Sequence, residues 1–259
     1  MEITGIYVFS GFMVGMLVGI TGVGGGSLMT PLLVLLLGVQ PAVAVGTDLL
    51  YAGLTKLTGT GLLSLRGTVE WRVVLRLAAG SVPAAIATVV LLAWIGVDPL
   101  HTGHLISATL GVALVASALA ILFRRQIQSA VAPVFDRLGE GRIAALTVLT
   151  GVILGVLVAA TSVGAGALGA LALAILYPRM PVLRLVGSDI AHAVPLTLVA
   201  GAGHWWLGTV DVTLLASLLC GSIPGILLGS SIAARLPERA LQGALAVTIG
   251  LVGVKLIAG

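Results

Sequence analysis

The sequence predicts an all-α membrane protein: a polytopic helical transporter with two internal repeats, each carrying a re-entrant or broken-helix hairpin at the membrane midplane. Three observations predict it. Hydrophobic residues fill 59% of the 259 positions and charged residues only 8%, against about 25% charge in a soluble domain. So little polarity cannot cover a surface facing water, so the solvent must be lipid. The second half of the chain restates the first. In each half, a glycine-rich turn stands just before an apolar segment too short to cross a bilayer.

The repeat is read from spaced matches. GTDLLY at 46–51 returns as GSDIAH at 187–192, 141 residues later. GTVE at 67–70 returns as GTVD at 208–211, and GSVP at 80–83 as GSIP at 221–224, at the same spacing. With a one-residue slip the glycine-rich stretch returns as AATSVGAGALGAL at 159–171. Thr21 then matches Thr161, Gly22 matches Ser162, and Gly24 and Gly26 match Gly164 and Gly166. The organisation that follows is a first repeat over 1–123, a cytoplasmic linker over 124–142 and a second repeat over 143–259.

Taken in order, the first segment, 3–20, is a long apolar run, and MEITG before it lacks the basic region of a secretory signal. The second, 28–37, has ten residues, about 15 Å of helix or half a bilayer. Segments 42–65, 71–95 and 102–123 are long enough to cross. The linker FRRQIQSAVAPVFDRLGEGR is the only substantial polar stretch. Segments 143–160, 168–177, 183–206, 212–233 and 240–258 repeat the series. Arginines mark four connections: Arg66 and Arg72; Arg124, Arg125, Arg137 and Arg142; Arg179 and Arg184; Arg235 and Arg239. The connections at 38–41, 96–104 and 207–211 have neither Lys nor Arg. All loops obey the positive-inside rule if each short segment returns to the side its predecessor came from. Each half is then a hairpin plus three crossings, an odd number, so the halves are inverted and both termini are non-cytoplasmic. If the first segment crosses fully, the repeats are parallel instead. Trp71, Trp94, Trp205 and Trp206 fall at interfaces, as an aromatic belt does.

Composition also excludes classes of function. Cys220 is the only cysteine, so no intrachain disulfide or cysteine-based metal site is expected. The net charge of +4 sits at helix ends, which points away from nucleic acid. His101 and His104 lie in a loop whose plain reading is solvation, and no metal or other cofactor is expected. The expected partners are a small anionic substrate and the lipid bilayer, with coupling to the proton through buried carboxyls left open. Oligomeric state stays open, a homodimer included.

A GVGGG turn can cradle a dinucleotide, but that needs a preceding strand, and IYVFSGFMVGMLVGI is a membrane-length run. Irregular backbone in a membrane is tolerated where it is buried in protein or lines a wet cavity. The short helix after each turn aims its amino end, with free N–H groups and a partial positive charge, at the membrane centre. Two such ends make an anion site, as in transporters with discontinuous helices. The candidate substrate-binding set is Thr21, Gly22, Gly24, Gly25, Gly26, Ser27, Thr47, Thr161, Ser162, Gly164, Gly166 and Ser188. The plainer alternative is that the glycines only let helices pack closely.

Asp48 and Asp189 are repeat-related and sit two turns inside their helices; Tyr51 and His192 follow each by three, on the same face. Intramembrane ionisable groups are costly and point to function. The aspartates either exchange protons, with His192 as a second titrating group, or hold the hairpins by hydrogen bonds, with Thr47 and Ser188 beside them suited to local capping. Lys56, two turns on, either attracts the anion or pairs with an acid such as Asp48.

These motifs resemble the sulfite exporter TauE/SafE family, on GVGGGSLMTPLLVLLLGVQPAVAVGTDLL, its degenerate second copy, and GTVEW and GTVD. The resemblance covers essentially the whole chain. It implies a multi-pass permease of the cytoplasmic membrane, not an enzyme, that moves sulfur-containing anions such as sulfite or sulfonates, often outward. Its glycine-rich motif falls on residues 22–27 with Pro31, and its GT element on Gly46 and Thr47. The second copy departs from the pattern, with Ala165, Ala167 and Leu171 in place of Gly25, Ser27 and Pro31. Two alternatives stay open: a passive channel for another small anion, and an intramembrane lipid-phosphate enzyme.

Overall fold

A computed structural model describes residues 5–21, 26–65, 67–96, 99–135, 138–233 and 238–258. These form ten helices: α1 (Gly5–Thr21), α2 (Gly26–Leu35), α3 (Pro41–Leu65), α4 (Trp71–Ile95), α5 (Pro99–Phe135), α6 (Glu140–Thr161), α7 (Ala167–Leu176), α8 (Val182–Trp206), α9 (Val212–Ala233) and α10 (Glu238–Ala258). No strand occurs among the described residues. Among the described residues, five stretches are long and apolar enough to cross a membrane: Trp71–Ile95, Ile106–Arg124, Glu140–Thr161, Val182–Trp206 and Val212–Gly229. α3, at 25 residues, matches α8 in length. Exposed Leu, Ile, Val and Trp side chains cover the outside, as a lipid-facing surface requires.

The segments read from hydropathy match the helices to within a few residues, with two differences, both in α5: it begins at Pro99, so His101 and His104, read as loop residues, stand in its first turns. α5 does not stop where polarity begins but runs on through Phe135, across most of the stretch read as a linker. Arg and Gln are good helix formers, so Arg124, Arg125, Gln126 and Gln128 end the apolar span without ending the helix.

Packing follows the repeat. α1 packs on α9 and its counterpart α6 packs on α4, while α3 packs on α8 and α5 on α10. Exchanging the two halves leaves this list unchanged. Close approaches fix the directions. In α1 and α9, Gly11 meets the Leu218 backbone and Gly15 that of Ser222, so these helices run parallel. In α4 and α6, Gly151 meets Leu77 and Gly155 meets Ser81, the same arrangement one repeat on. In α3 and α8, Gly46 lies by His204, Gly53 by Thr197 and Leu198, and Gly201 by Leu50, so the repeat-related pair runs antiparallel. α5 and α10 are also antiparallel, with Gly111 on Gly253 and Ile257, and Ala118 on Gly250.

The second hairpin turns back on itself. Its turn closes with Ser162 in the left-handed region (φ 61) and Gly164 and Gly166 at φ 117 and 144. α7 then retraces α6, and the Tyr177 hydroxyl past its end meets Thr147 Oγ1 in α6 at 2.8 Å. Thr147 is only seven residues into α6, so the hairpin returns towards the end from which α6 entered. The corresponding turn of the first repeat, with Gly22, Gly24 and Gly25, lies outside the described residues, as do the side chains of Thr21 and Ser27 and the surroundings of Gly26.

Candidate functional site

The repeated motifs turn out to be reciprocal contacts between the halves. The Asp211 N–H donates to Thr47 Oγ1 at 3.1 Å, and the Glu70 N–H donates to Ser188 Oγ at 2.9 Å. A Cβ on Gly46 would stand 2.3 Å from the Thr209 carbonyl oxygen, and one on Gly187 2.4 Å from that of Thr68. Each half's GT or GS element therefore docks on the other half's GTV loop and satisfies an orphan amide at the start of α4 or α9. The hydroxyls of Thr47 and Ser188 are engaged there.

Between these end contacts lie the buried polar groups of α3 and α8. Asp48 is fully buried. Its Oδ2 accepts from the Thr30 hydroxyl of α2 at 2.5 Å and from the Ser162 hydroxyl at the second hairpin turn at 2.8 Å. Lys56 Nζ donates to the Ala165 carbonyl in that same turn at 2.8 Å. Thr161 is used locally: its hydroxyl donates to Leu157 O and its oxygen accepts from the Val163 N–H.

Asp189 differs from its repeat mate. It is 4% exposed; its Oδ1, like that of Asp48, has no hydrogen-bond partner, but no hydroxyl among the described residues donates to this carboxylate. It faces the first turn of α7, where a Cβ on Gly169 would stand 2.1 Å from Oδ1. In the first repeat a hydroxyl, Thr30, reaches the carboxylate from the half-helix; the same alignment puts Ala170 at that place in α7, which has none. Lys56 is near enough to act electrostatically on both aspartates. The α3–α8 register sets Asp189 level with Gly61, so the aspartates are roughly 20 Å apart along α3 at 1.5 Å per residue. They do not share one site: each lies towards one end, with Lys56 and the irregular segment 162–166 between.

One turn along α8, His192 Nε2 pairs with the Ser81 hydroxyl at 2.8 Å, and its Nδ1 has no partner. Its repeat mate Tyr51 faces Ser222, the mate of Ser81, without a closed hydrogen bond. His204 Nε2 donates to the Ala159 carbonyl at 2.9 Å, towards the other end of α8.

The amino end of α7 is only partly satisfied. Gly169 N–H reaches Gly164 O and Ala170 N–H reaches Gly166 O, while Gly166, before the helix, makes no side-chain cap. The first two amides, of Ala167 and Leu168, have no acceptor within the helix. The turn therefore brings a half-buried cation to a half-helix amino end with free donors, an arrangement suited to an anion. Nearer the return end of the hairpin, a cavity of about 300 Å³ is lined by Arg76, Glu140, Tyr177 and Arg179 among others. Among the described residues no cluster of three or more His, Cys, Asp or Glu is placed to hold a metal ion.

Thr30, Ser81 and Ser222 were not singled out from the sequence. The two serines stood in the repeated GSVP and GSIP motifs, so the signal was there. What it lacked was the cross-helix partner.

The chain matches the family described as Sulfite exporter TauE/SafE over residues 7–256. It is 40% identical over 251 residues to the "Probable membrane transporter protein YjnA" of Bacillus subtilis (strain 168), covering 96% of this chain and 98% of that one. It is 26% identical over 248 residues to the "Probable membrane transporter protein YdhB" of the same organism, covering 95% and 97%. No solved structure matches the chain significantly.

Proposed function

The chain belongs to the sulfite exporter TauE/SafE family of multi-pass membrane transporters, and from that premise we propose that it is a secondary transporter of the cytoplasmic membrane that exports a small sulfur-containing anion. The family's name supports the substrate class. The single observation that carries the site is Lys56, a half-buried cation inside α3 hydrogen-bonded to the turn that leads into the uncapped amino end of α7. Lysine charge and free amides converge there on one place, where a sulfonate or sulfite oxygen replaces water and the Ala165 carbonyl as partner.

The antiparallel packing of the repeat-related pairs α3–α8 and α5–α10 supports an inverted repeat, because a two-fold axis lying across the helices reverses their direction. All the connections bearing the basic residues then face the cytoplasm, and the two halves can exchange conformations to open the site to either side.

The test is flux into liposomes containing the purified protein. Labelled sulfite, taurine, sulfoacetate and sulfate are offered with and without a pH gradient. Saturable flux of one sulfur anion, reduced at least tenfold in Lys56→Met, is expected. Non-saturating flux indifferent to the gradient would make the protein a channel, and no flux of any of the four from folded protein would remove the substrate class.

A further inference from the structure

The two repeat-related aspartates have different surroundings, and the difference assigns them different tasks. Asp48 is tied: two hydroxyls from two different elements meet its Oδ2, so it links α2 and the second hairpin turn to α3, although its Oδ1 has no partner. Asp189 is untied: buried, met by no hydroxyl among the described residues, unpartnered at Oδ1 as Asp48 also is, and aimed at the amino end of α7. The charged groups that act on it are Lys56 of α3 and, farther off at the end of the α5 span, Arg124. On its own helix His192 stands one turn away, and α7 meets it with Gly169.

Resting on the reading of an anion site at Lys56, we propose that Asp189 is the group that takes up a proton when the anion binds, and that Asp48 is a fixed latch. Lys56 can balance one buried negative charge at a time. In the empty protein that charge is the Asp189 carboxylate, while the charge of Asp48, farther from Lys56 along the α3 register, is held by the Thr30 and Ser162 hydroxyls. When a monoanion settles on Lys56 and the α7 amides, two negative charges would face one cation in a low-dielectric setting, which is strongly unfavourable. A proton from water removes the conflict: Asp189 Oδ1 gains an O–H, the carboxylate becomes a neutral carboxyl, and the new O–H becomes a donor towards the anion. On release the O–H bond breaks, the proton returns to water and the Lys56–Asp189 balance is restored. Anion and proton therefore bind together, one for one.

Methanesulfonate is the probe, because its charge stays at −1 across the working range and any proton taken up belongs to the protein. Calorimetric titration of the purified protein in buffers of different ionisation enthalpy reads protons bound per anion. About one is expected for wild type and for Asp48→Asn, and about zero for Asp189→Asn. A second readout needs no ligand: the infrared band of a protonated carboxyl, followed through a pH titration, should be lost in Asp189→Asn and kept in Asp48→Asn. Thr30→Val, which loosens the latch but spares both carboxyls, should keep both signals and covers the case in which Asp48→Asn does not fold. Proton uptake that survives Asp189→Asn, or a band that vanishes with Asp48→Asn alone, overturns the assignment. If methanesulfonate does not bind while the infrared band still follows Asp189, the substrate reading fails and the assignment of the proton site stands.

Discussion

Adding one methyl group to either of two repeat-equivalent glycines should loosen the molecule by the same amount. A Cβ on Gly80 would stand 2.0 Å from the Val148 carbonyl oxygen, and one on Gly221 1.9 Å from that of Val8. Both obstacles are backbone, so no side chain can swing aside, and α6 must back away from α4, or α1 from α9, by more than about 1 Å. A gap of that size forfeits roughly a quarter to a half of each dispersion contact it opens. Overpacking costs about 1–3 kcal/mol, and a rigid backbone obstacle belongs at the upper end. Alanine's better helix propensity offsets up to about 1 kcal/mol. The net loss is about 2 kcal/mol for each variant, a fall in Tm of roughly 4–8 °C for a chain of this size. Gly141→Ala is the control, because no atom lies within 4 Å of its added methyl, and it should melt at or slightly above wild type. The assay is thermal unfolding of purified protein in detergent, read by intrinsic fluorescence. If Gly80→Ala melts with the control, the α4–α6 interface is not where the packing places it. If Gly80→Ala and Gly221→Ala differ several-fold, the halves are not packed equivalently.

Thr47→Val and Ser188→Ala each strand a backbone amide of the opposite half, and each should cost about 1–3 kcal/mol in the same melting assay, with the two losses additive because the sites lie far apart. Ser162→Ala removes one donor from Asp48 and should cost about 1–2 kcal/mol, whereas the same change made after Asp48→Ala should cost almost nothing; a full cost in both backgrounds would deny the pair. Arg76→Gln breaks the 3.0 Å pair with Glu140, whose carboxylate side chain is 78% exposed, so the melting point should move by less than about 1 kcal/mol equivalent.

The architecture was legible because a membrane imposes a coarse rule: apolar length decides what crosses, and repeated spacing shows which parts correspond. The ten segments, the half-length α2 and α7, and the kinship of Asp48 with Asp189 all followed from that. The extent of α5 did not, because hydropathy reports where lipid ends and is silent on whether the helix ends with it. Partner identity was beyond reach for a different reason. Thr47 and Ser188 read as candidate ligands or local caps, yet their hydroxyls serve amides 164 and 118 residues away, and nothing in local pattern encodes so distant a contact. Likewise the two aspartates look equivalent in sequence. Their inequality comes from what α2 and α7 present to them, a hydroxyl in one case and a bare glycine in the other.

That inequality also says which parts should move together. The frame is largely reciprocal: the glycine contacts at Gly11, Gly15, Gly46 and Gly80 and the two amide pins have counterparts at Gly151, Gly155, Gly187 and Gly221 and across the other loop, so neither half is favoured at the ends of α3 and α8. The centre is not reciprocal. Thr30 of α2 and Ser162 of the second turn both bind Asp48, and Ala165 binds Lys56. All three ties run to α3, while Asp189 of α8 meets α7 through an unpartnered oxygen. Among the described residues no hydrogen bond joins α7 to α8, so a rearrangement that preserves the ties to Asp48 and Lys56 carries the second turn and α7 with α3 and slides them past α8. Spin labels placed on α7 and α3 should therefore keep their separation when methanesulfonate is added, and labels on α7 and α8 should change theirs. A change on the α3 side with a constant distance to α8 would mean that the ties to Asp48 and Lys56 break during the cycle and that α3 is not the carrier of the hairpin.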